Sequence, residues 1–387
     1  MNERDPERSA HPATAWVSLD ALRDNFRALR NHAGARAVIP VIKADAYGHG
    51  AVAVARALEP MGVAMFAVAY VEEAIALRKA GLVTPILVLT GFAPAQLDDV
   101  FAHRLTPVIS TREQLNALEA LPLDEDRSRL HVHVKVDTGM SRLGFRINEL
   151  EPAIHRLEDV EGVRIDGLMT HLASADEDEI ATARQLDLFD EAIIRLETLG
   201  VRPRLIHAAN SAGMACVRDT HTAVRPGLLL YGLAPRPFSP QIEVRPAMSL
   251  RARVALVKKI AAGTPVSYGG RFVATMETRI ATINAGYADG IPRTNLMREK
   301  GALRHGPQAL PIAGTVCMDL TMLDATAAPD LKPGDEVTVF GEAPTAWDLA
   351  EWAGTNAWQI LTSVGPRVPR RHTLGGEIVD PRPGRPA

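Results

Sequence analysis

Lys43 ends a short apolar run in the stretch Val38-Ile39-Pro40-Val41-Ile42-Lys43-Ala44-Asp45-Ala46-Tyr47-Gly48-His49-Gly50. A buried strand that delivers an ammonium to the rim of a pocket disfavours its charge and lowers its pKa, which is what Schiff-base chemistry requires of an amine. On the lysine alone, a solvated side chain at a strand end would be the simpler reading. Other chemistry-bearing residues sit in the same way, directly after apolar runs: Asp137-Thr138-Gly139-Met140-Ser141-Arg142, His171, Asn210-Ser211 and Arg225-Pro226-Gly227. Together they offer an amine nucleophile, two guanidinium groups, an imidazole and a hydroxyl at a helix start, a set suited to an anionic, phosphorylated cofactor. A metal-dependent hydrolase competes, suggested by His131-x-His133, Lys135, His171 and His207, but no carboxylate completes that set, so no metal is expected.

These residues need strands to present them. From Trp16 to Tyr231 short apolar runs alternate with amphipathic stretches, the pattern of repeated βα units. The runs Ala37 to Ile42, Ala64 to Ala69, Ile86 to Thr90, Leu105 to Ile109, His131 to Val136, Arg164 to Thr170, Arg204 to Ala208 and Thr222 to Arg225 make eight candidate strands, the number that closes a (β/α)8 barrel of the TIM type. Ser110-x-x-Glu113 is a candidate capping box, and Leu186, Phe189, Ile193 and Leu196 form one helical face. Lys135 falls on the same strand face as His131 and His133, because alternate strand residues share a side.

After Tyr231 the texture changes. Pro235-Arg236-Pro237-Phe238-Ser239-Pro240 reads as a linker, and Ser249 to Ile260, Arg279 to Asn284, Leu310 to Leu323 and Glu336 to Phe340 are β-like runs, with one helix opening at Thr345. The expected organisation is a flexible tail over 1–13, a barrel domain over 14–240 and a β-rich C-terminal domain over 241–387. The 387 residues, 47% hydrophobic and 23% charged with a formal net charge of -3, give no electrostatic footprint for nucleic acid or anionic membranes. Two cysteines without metal-like spacing, no signal-peptide core and no bilayer-spanning run point to a cytoplasmic protein with a small-molecule partner.

The string at Lys43 resembles the pyridoxal-phosphate attachment motif of alanine racemases. The resemblance extends through Lys135-Val136-Asp137-Thr138-Gly139-Met140-Ser141-Arg142-Leu143-Gly144, His171, His207-Ala208-Ala209-Asn210-Ser211, Val224-Arg225-Pro226-Gly227, Val266-Ser267-Tyr268-Gly269, Asn284-Ala285-Gly286-Tyr287-Ala288-Asp289-Gly290, Val316-Cys317-Met318-Asp319 and Arg367-Val368-Pro369-Arg370. It spans about Ala13 to Arg371 and implies a fold-type III pyridoxal-phosphate enzyme: a barrel plus a β-domain, in a homodimer with shared active sites. The implied reaction is two-base interconversion of L- and D-alanine for peptidoglycan, with a broader small-amino-acid (serine) racemase as the alternative.

Carried over residue by residue, the resemblance makes Lys43 the Schiff-base lysine and one proton-transfer base, and Tyr268 the base on the opposite face. His171 would link that tyrosine to Arg225, which faces the pyridine nitrogen and is a poor proton donor to it. Tyr47, Ser211 and the backbone amides of Gly227 and Leu228 would hold the phosphate, with Asn210 close by. Arg142 and the backbone N-H of Met318 would bind the substrate carboxylate, Asp319 would support from behind, and Lys135 would be carbamylated to position Arg142. Two departures stand out: Trp358 occupies a position where the family usually has a phosphate-contacting tyrosine, and Thr315 one where arginine is common. Both bear on substrate size, which an apolar pocket discriminates by about 1 to 3 kcal/mol per methylene.

Overall fold

The computed structural model describes residues 11–121, 129–216, 221–236 and 242–380, which fall into two compact units. The first strand, β1 (Ala13–Ser18), belongs to the second unit. The first unit, residues 22–46 and 51–244, carries β2 (Ala37–Val38), β3 (Phe66–Val68), β4 (Ile86–Val88), β5 (Thr106–Ile109), β6 (Leu130–Lys135), β7 (Val163–Met169), β8 (Leu205–His207) and β9 (Ala223–Val224). Strands β3 to β8 form one parallel sheet in sequence order. The ring closes through β2, which pairs in parallel with β9. On one side Val41 bridges Ala67; on the other the Thr222 N-H donates to Ile206 O and the Arg225 N-H to Ala209 O, each at 2.9 Å.

Closure leaves none of these eight strands with an open edge; β3, β4 and β5 are buried at every residue, whereas β6 and β7 carry exposed polar residues near their starts, His131 and Arg164. Phe66, Val68, Ile86, Val88, Val108, Val132, Val134 and Leu168 are all buried, each such side chain contributing about 1.5–3 kcal/mol. Six of the eight barrel strands are shorter than the runs that announce them, whereas β6 and β7 keep the expected length and each begins one residue earlier. In the first, Pro40 supplies no N-H, and regular pairing stops at Val38 although Val41 still donates to Pro226 O at 2.9 Å.

Two local expectations shift. Helix Arg112–Glu119 is capped by Thr111, which accepts from the Gln114 N-H, and not by Ser110. In helix Glu179–Thr198 the buried face is Thr182, Gln185, Phe189, Ala192 and Leu196, so Leu186 and Ile193 lie at its margins.

The second unit gathers residues 11–21, 47–50 and 245–380. Its strands are β1, β10 (Met248–Ile260), β11 (Pro265–Val266), β12 (Phe272–Val273), β13 (Thr278–Ile283), β14 (Ala302–His305), β15 (Gln308–Pro311), β16 (Thr321–Asp324), β17 (Glu336–Phe340), β18 (Arg370–Leu374) and β19 (Glu377–Val379). The main sheet runs β15-β14-β17-β10-β1-β18-β19, with β13 pairing β10 and β16. In β10, Met248, Leu250, Ala252 and Val254 are buried and alternate with more exposed residues, the period of a sheet covered on one face.

Trp16 onward, read from the sequence as the start of the barrel domain, pairs instead with β10 and β18. The reason is visible in β1 itself: Ala13, Ala15 and Val17 are buried and alternate with Thr14, Trp16 and Ser18, the signature of a one-sided sheet and not of a barrel strand. Tyr47–Gly50 joins this unit through hydrogen bonds from Arg370 Nε to Gly48 O, 3.0 Å, and between His372 Nε2 and His49 O, 2.8 Å. The apolar stretch Leu310 to Leu323 is two strands separated by the loop that carries Met318. Helix Ala346–Ala353 opens on the expected capping box of Thr345 and Asp348. Residues 1–10, most of the proposed tail, and 237–241 of the proposed linker lie outside the described residues.

Candidate active site

Lys43 follows the β2 segment at the carboxyl end of the barrel and opens a turn of the wrong hand. Ala44, Asp45, Ala46 and Tyr47 all have φ between 52° and 55°, a left-handed conformation that costs L-residues roughly 1–2 kcal/mol each. Polar contacts hold it. Glu73 Oε1 accepts from the Ala44 N-H at 2.6 Å, Asp45 Oδ1 accepts from the Ala51 N-H at 2.7 Å, and Ile42 O accepts from the Ala46 N-H at 2.9 Å. Strain of this kind persists only where surrounding structure enforces it, and it gathers at functional sites. Burial lowers the Lys43 pKa, and the positive charges of Arg142 and Arg225 lower it further against the opposing pull of Glu73.

Lys135 ends β6 and is buried; burial, with Arg142 and Arg225, brings its pKa down to about 8. The following loop folds back on the strand, since the Phe145 N-H donates to Lys135 O and the Asp137 N-H to Phe145 O, each at 2.9 Å. Asp137 Oδ1 accepts from the N-H groups of Gly139, Met140 and Ser141 at 3.0 Å each, which fixes the arch on which Arg142 stands exposed.

Arg225, after β9, is buried, and several uncharged acceptors hold it. Its Nη1 donates to His207 O at 2.8 Å and to His207 Nδ1 at 2.6 Å; its Nη2 donates to Thr170 O at 2.7 Å and Ala208 O at 3.1 Å and reaches His171 Nδ1 at 3.4 Å. Burial, followed by the Arg225 charge, pushes the pKa of both His171 and His207 well below the usual imidazole value, so both rings are neutral at neutral pH. His207 Nε2 in turn meets His133 Nδ1 at 2.8 Å.

A polar cradle adjoins this group. Ser211 Oγ accepts from the N-H groups of Gly227 and Leu229 at 2.9 and 3.3 Å, leaving its own O-H to donate. Asn210 Oδ1 accepts from the Gly213 N-H at 2.8 Å and caps helix Ser211–Cys216. A serine hydroxyl and backbone at the start of Leu228–Tyr231 form an anion cradle of the kind a phosphate takes. The donor set therefore fits a phosphorylated aldehyde: an amine of lowered proton affinity, a buried guanidinium held by carbonyl and imidazole acceptors, and a hydroxyl beside a helix start. Tyr47 is buried, which pushes its pKa up to about 12 and keeps the phenol a donor.

In the second unit, Tyr268 and Met318 share one concavity of about 850 Å³ with Asp319, Leu256, Leu320 and Met322. Tyr268 is 69% and Met318 53% exposed. Thr315 Oγ1 donates to Tyr268 O at 3.1 Å, and the Ser267 hydroxyl donates to Thr315 O at 2.6 Å. The Met318 loop is clamped: Ala288 N-H donates to Met318 O at 3.1 Å, Tyr287 N-H to Cys317 O at 3.0 Å, and Arg367 bridges Asp319 and the buried Asp289. Trp358, half-buried, packs edge-on against Trp347 with ring centroids 5.7 Å apart.

Each unit thus assembles its own share of the expected residues: Lys43, Lys135, Arg142, His171, Asn210, Ser211, Arg225, Gly227 and Leu228 in one, and Tyr47, Tyr268, Met318, Asp319 and Trp358 in the other. Sequence reasoning did not assign Glu73, His133, Asp289 or Arg367. The alternation that turned Lys135 inward was a signal for His133; Asp289 and Arg367 lay in motifs that carry the resemblance but were given no role, and nothing pointed to Glu73. Among the described residues no three His, Cys, Asp or Glu side chains group as metal ligands.

Residues 17–235 match the family described as alanine racemase, N-terminal domain, and residues 247–372 the alanine racemase, C-terminal domain. An alanine racemase of Sorangium cellulosum is 42% identical over 379 residues, covering 93% of this chain and 98% of that one. Among solved structures, alanine racemase of Clostridium difficile superposes with a TM-score of 0.88 at 32% identity, covering 95% and 97% of the two chains. The enzyme of Bartonella henselae, solved with covalently bound pyridoxal phosphate, gives 0.84 at 30% identity over 94% and 99%. Nothing among these relatives favours a broad-specificity serine racemase.

Proposed function

Because the chain belongs to the alanine racemase family, we propose that the residues assembled above divide the work of interconverting L- and D-alanine. The protein is a pyridoxal-phosphate-dependent isomerase acting on alanine. When bound, the cofactor supplies an aldehyde for an amine and a conjugated ring that disperses charge from the substrate Cα. The protein supplies the rest. Lys43 offers an amine whose proton is weakly held, first as the attachment point and then as a base on one face of the substrate. Tyr268 serves the opposite face, since a proton removed from one side and returned to the other is most directly handled by two groups. His171 passes between this phenol and Arg225.

Arg225 would present a permanent charge to the cofactor ring nitrogen without giving it a proton, which would limit charge dispersal into the ring and favour quick return of the proton to Cα. The Tyr47 and Ser211 hydroxyls and the Leu228 amide would hold the phosphate, joined by the Gly227 amide once Ser211 Oγ releases it; Asn210 would shape that cradle, with Trp358 where the family usually has a phenol. Arg142 and the Met318 N-H take the substrate carboxylate, with Asp319 steadying the Met318 loop through Arg367. A carbamate on Lys135 would pair with Arg142; the pKa of about 8 leaves a usable fraction of neutral amine to form it.

The observation that carries this reading is the lowered proton affinity of Lys43 beside Arg142 and Arg225. Proton NMR of the purified enzyme with L-alanine in deuterated water tests it: loss of the Cα proton together with appearance of the D-enantiomer is expected, and pyruvate in its place would refute it.

The exposure of Tyr268 and Met318 within an apolar concavity supports a homodimer with shared sites. Mixing inactive Lys43→Ala and Tyr268→Phe chains should recover about a quarter of full activity, because half of random dimers then hold one intact site of two. On this reading the region 14–240, apart from the β1 segment and Tyr47–Gly50 that join the β-rich unit, would bind the cofactor, and the region 241–387 would complete the partner's site. The protein acts in the cytoplasm and supplies D-alanine for peptidoglycan; among the described residues no helix is long and apolar enough to cross a membrane.

A further inference from the structure

His133 is wholly buried at the middle of β6, and its Nδ1 lies 2.8 Å from His207 Nε2, whose other ring nitrogen lies 2.6 Å from Arg225. Proton positions along this row follow from one fact: a guanidinium only donates. His207 Nδ1 must therefore accept, His207 Nε2 must carry the hydrogen and donate it to His133 Nδ1, and His133 must carry its own hydrogen on Nε2. Any other assignment sets N-H against N-H at hydrogen-bond distance. The terminal His133 Nε2 finds no acceptor among the described residues, and an unsatisfied buried donor costs roughly 1–3 kcal/mol. A core that needed only volume here would be better served by leucine.

The backbone is arranged around this ring. In the β6 and β7 pairing the register slips between Val132 and His133, so that His133 faces Gly167. A Cβ on Gly167 would lie 2.4 Å from His133 Nδ1 and 2.5 Å from two further ring atoms. The bulge and the missing side chain together make the space in which the imidazole stands. Burial holds the His133 pKa down to about 3, so the ring stays neutral and keeps its acceptor.

We propose that His133, given room by Gly167, is a positioning residue that fixes the His207 tautomer and thereby the orientation in which Arg225 meets the cofactor. The role rests on the assignment of Arg225 to the cofactor ring. Its chemical content is that an acceptor two residues removed from the guanidinium decides whether His207 Nδ1 is a lone pair or an N-H. With the acceptor gone, His207 can place its hydrogen on Nδ1, which repels Arg225 Nη1 and loosens the guanidinium from one of its anchors.

The test uses the full-length, cofactor-loaded enzyme labelled with 15N in histidine and arginine, in three forms: wild type, His133→Leu and His133→Asn. Leucine keeps the volume and removes the acceptor; asparagine places an amide oxygen near the Nδ1 position and restores it. Nitrogen NMR should show His207 with a pyrrole-like Nε2 and a pyridine-like Nδ1 in wild type and His133→Asn. In His133→Leu both signals should shift toward mixed tautomers and the Arg225 side-chain signals should broaden, with kcat down on the order of tenfold and KM little changed, a loss of the size that outer partners of functional histidines carry.

A pure, unchanged His207 tautomer in His133→Leu would overturn the proposal, as would a wild-type His207 with its hydrogen on Nδ1. Loss in His133→Leu that His133→Asn fails to restore, both being folded by thermal melting, would assign His133 to packing alone and also overturn it. Because the tautomers are read directly, failure of the racemase reading would appear separately, as expected tautomers in a wild-type enzyme that leaves the alanine Cα proton in place.

Discussion

Lys135 gives the sharpest thermodynamic expectation. Its ordinary pKa of 10.5 falls to about 8 in the folded chain, through burial first and then the Arg142 and Arg225 charges. Below pH 8 both folded and unfolded chains hold the proton, and the folded chain carries the full penalty, about 3 kcal/mol at roughly 1.4 kcal/mol per tenfold. Between pH 8 and 10.5 the folded state releases its proton first, the unfolded state binds more protons, and stability rises with pH until the penalty is gone. Lys135→Met removes the charge and should lack this rise, so urea unfolding of the two proteins in CO2-free buffer should differ by about 3 kcal/mol more at pH 7.5 than at pH 10.5. At pH 7 about a tenth of Lys135 is neutral, against fewer than about one in a thousand for an ordinary lysine. On the proposed reading that neutral amine would attack CO2, forming an N-C bond as one C=O π bond opens and one proton leaves, and the resulting anion would face the same arginines that opposed the ammonium. Bicarbonate should therefore stabilise wild type at neutral pH and leave Lys135→Met unchanged, and 13C-bicarbonate should give a carbamate signal only in wild type. A Lys135 that titrates near 10.5, or a wild type indifferent to bicarbonate, refutes the reasoning.

Tyr268→Phe should slow Cα exchange mainly from one enantiomer, measured by separate deuterium exchange of L- and D-alanine; equal slowing from both would remove the phenol from its role as a face-specific base. Gly286→Ala places a Cβ 2.2 Å from Cys317 O and 2.3 Å from Met318 O. Over-packing of this kind costs about 1–3 kcal/mol and should raise the KM for alanine more than it lowers kcat, checked by steady-state kinetics with a urea melt. Glu73→Gln weakens the hold on the Ala44, Ala69 and Tyr70 N-H groups and removes the one negative charge that raises the Lys43 pKa. It should destabilise the chain by about 1–3 kcal/mol and shift the Lys43 titration to lower pH, followed by chemical labelling of the lysine. Trp358→Tyr should alter the ratio of kcat/KM for alanine over serine by no more than the roughly 10- to 200-fold that one pocket contact supplies, read from competing-substrate assays.

The barrel was legible because a parallel strand covered on both faces leaves an uninterrupted apolar run, and the polar residues that end those runs are the ones the strands deliver. Lys43, His171 and Arg225 could be placed in this way from the residues alone, and Lys135 by the alternation of its strand. The turn after Lys43 could not. No glycine occurs between Ala44 and Tyr47, so nothing local announces four left-handed residues; the contacts that hold them come partly from Glu73, 29 residues further on. β1 was misplaced because its alternation is short and its partners lie more than 200 residues away. His133 was placed on the right face, yet its partner is 74 residues distant and the glycine that admits it lies on another strand. Long-range acceptors of this kind leave no periodic trace.

The charge balance of the barrel mouth explains why its cations remain available to a ligand. Lys43, Lys135, Arg142 and Arg225 shift one another's surroundings in the same direction, and two carboxylates stand near enough to oppose them. Both are engaged by backbone: Asp137 Oδ1 accepts from three N-H groups of the Arg142 loop, and Glu73 accepts from Ala44, Ala69 and Tyr70. Arg225 is held by three carbonyl oxygens and two neutral imidazoles. Dipolar acceptors fix the direction of a guanidinium without cancelling its charge, whereas a carboxylate in place of His207 would do both. On the proposed reading, a site built in this way would offer positive charge to a phosphate, a substrate carboxylate and a carbamate, and it requires that the imidazoles around Arg225 never take up protons. Their burial enforces that requirement, and the row from Arg225 through His207 to His133 is its structural expression.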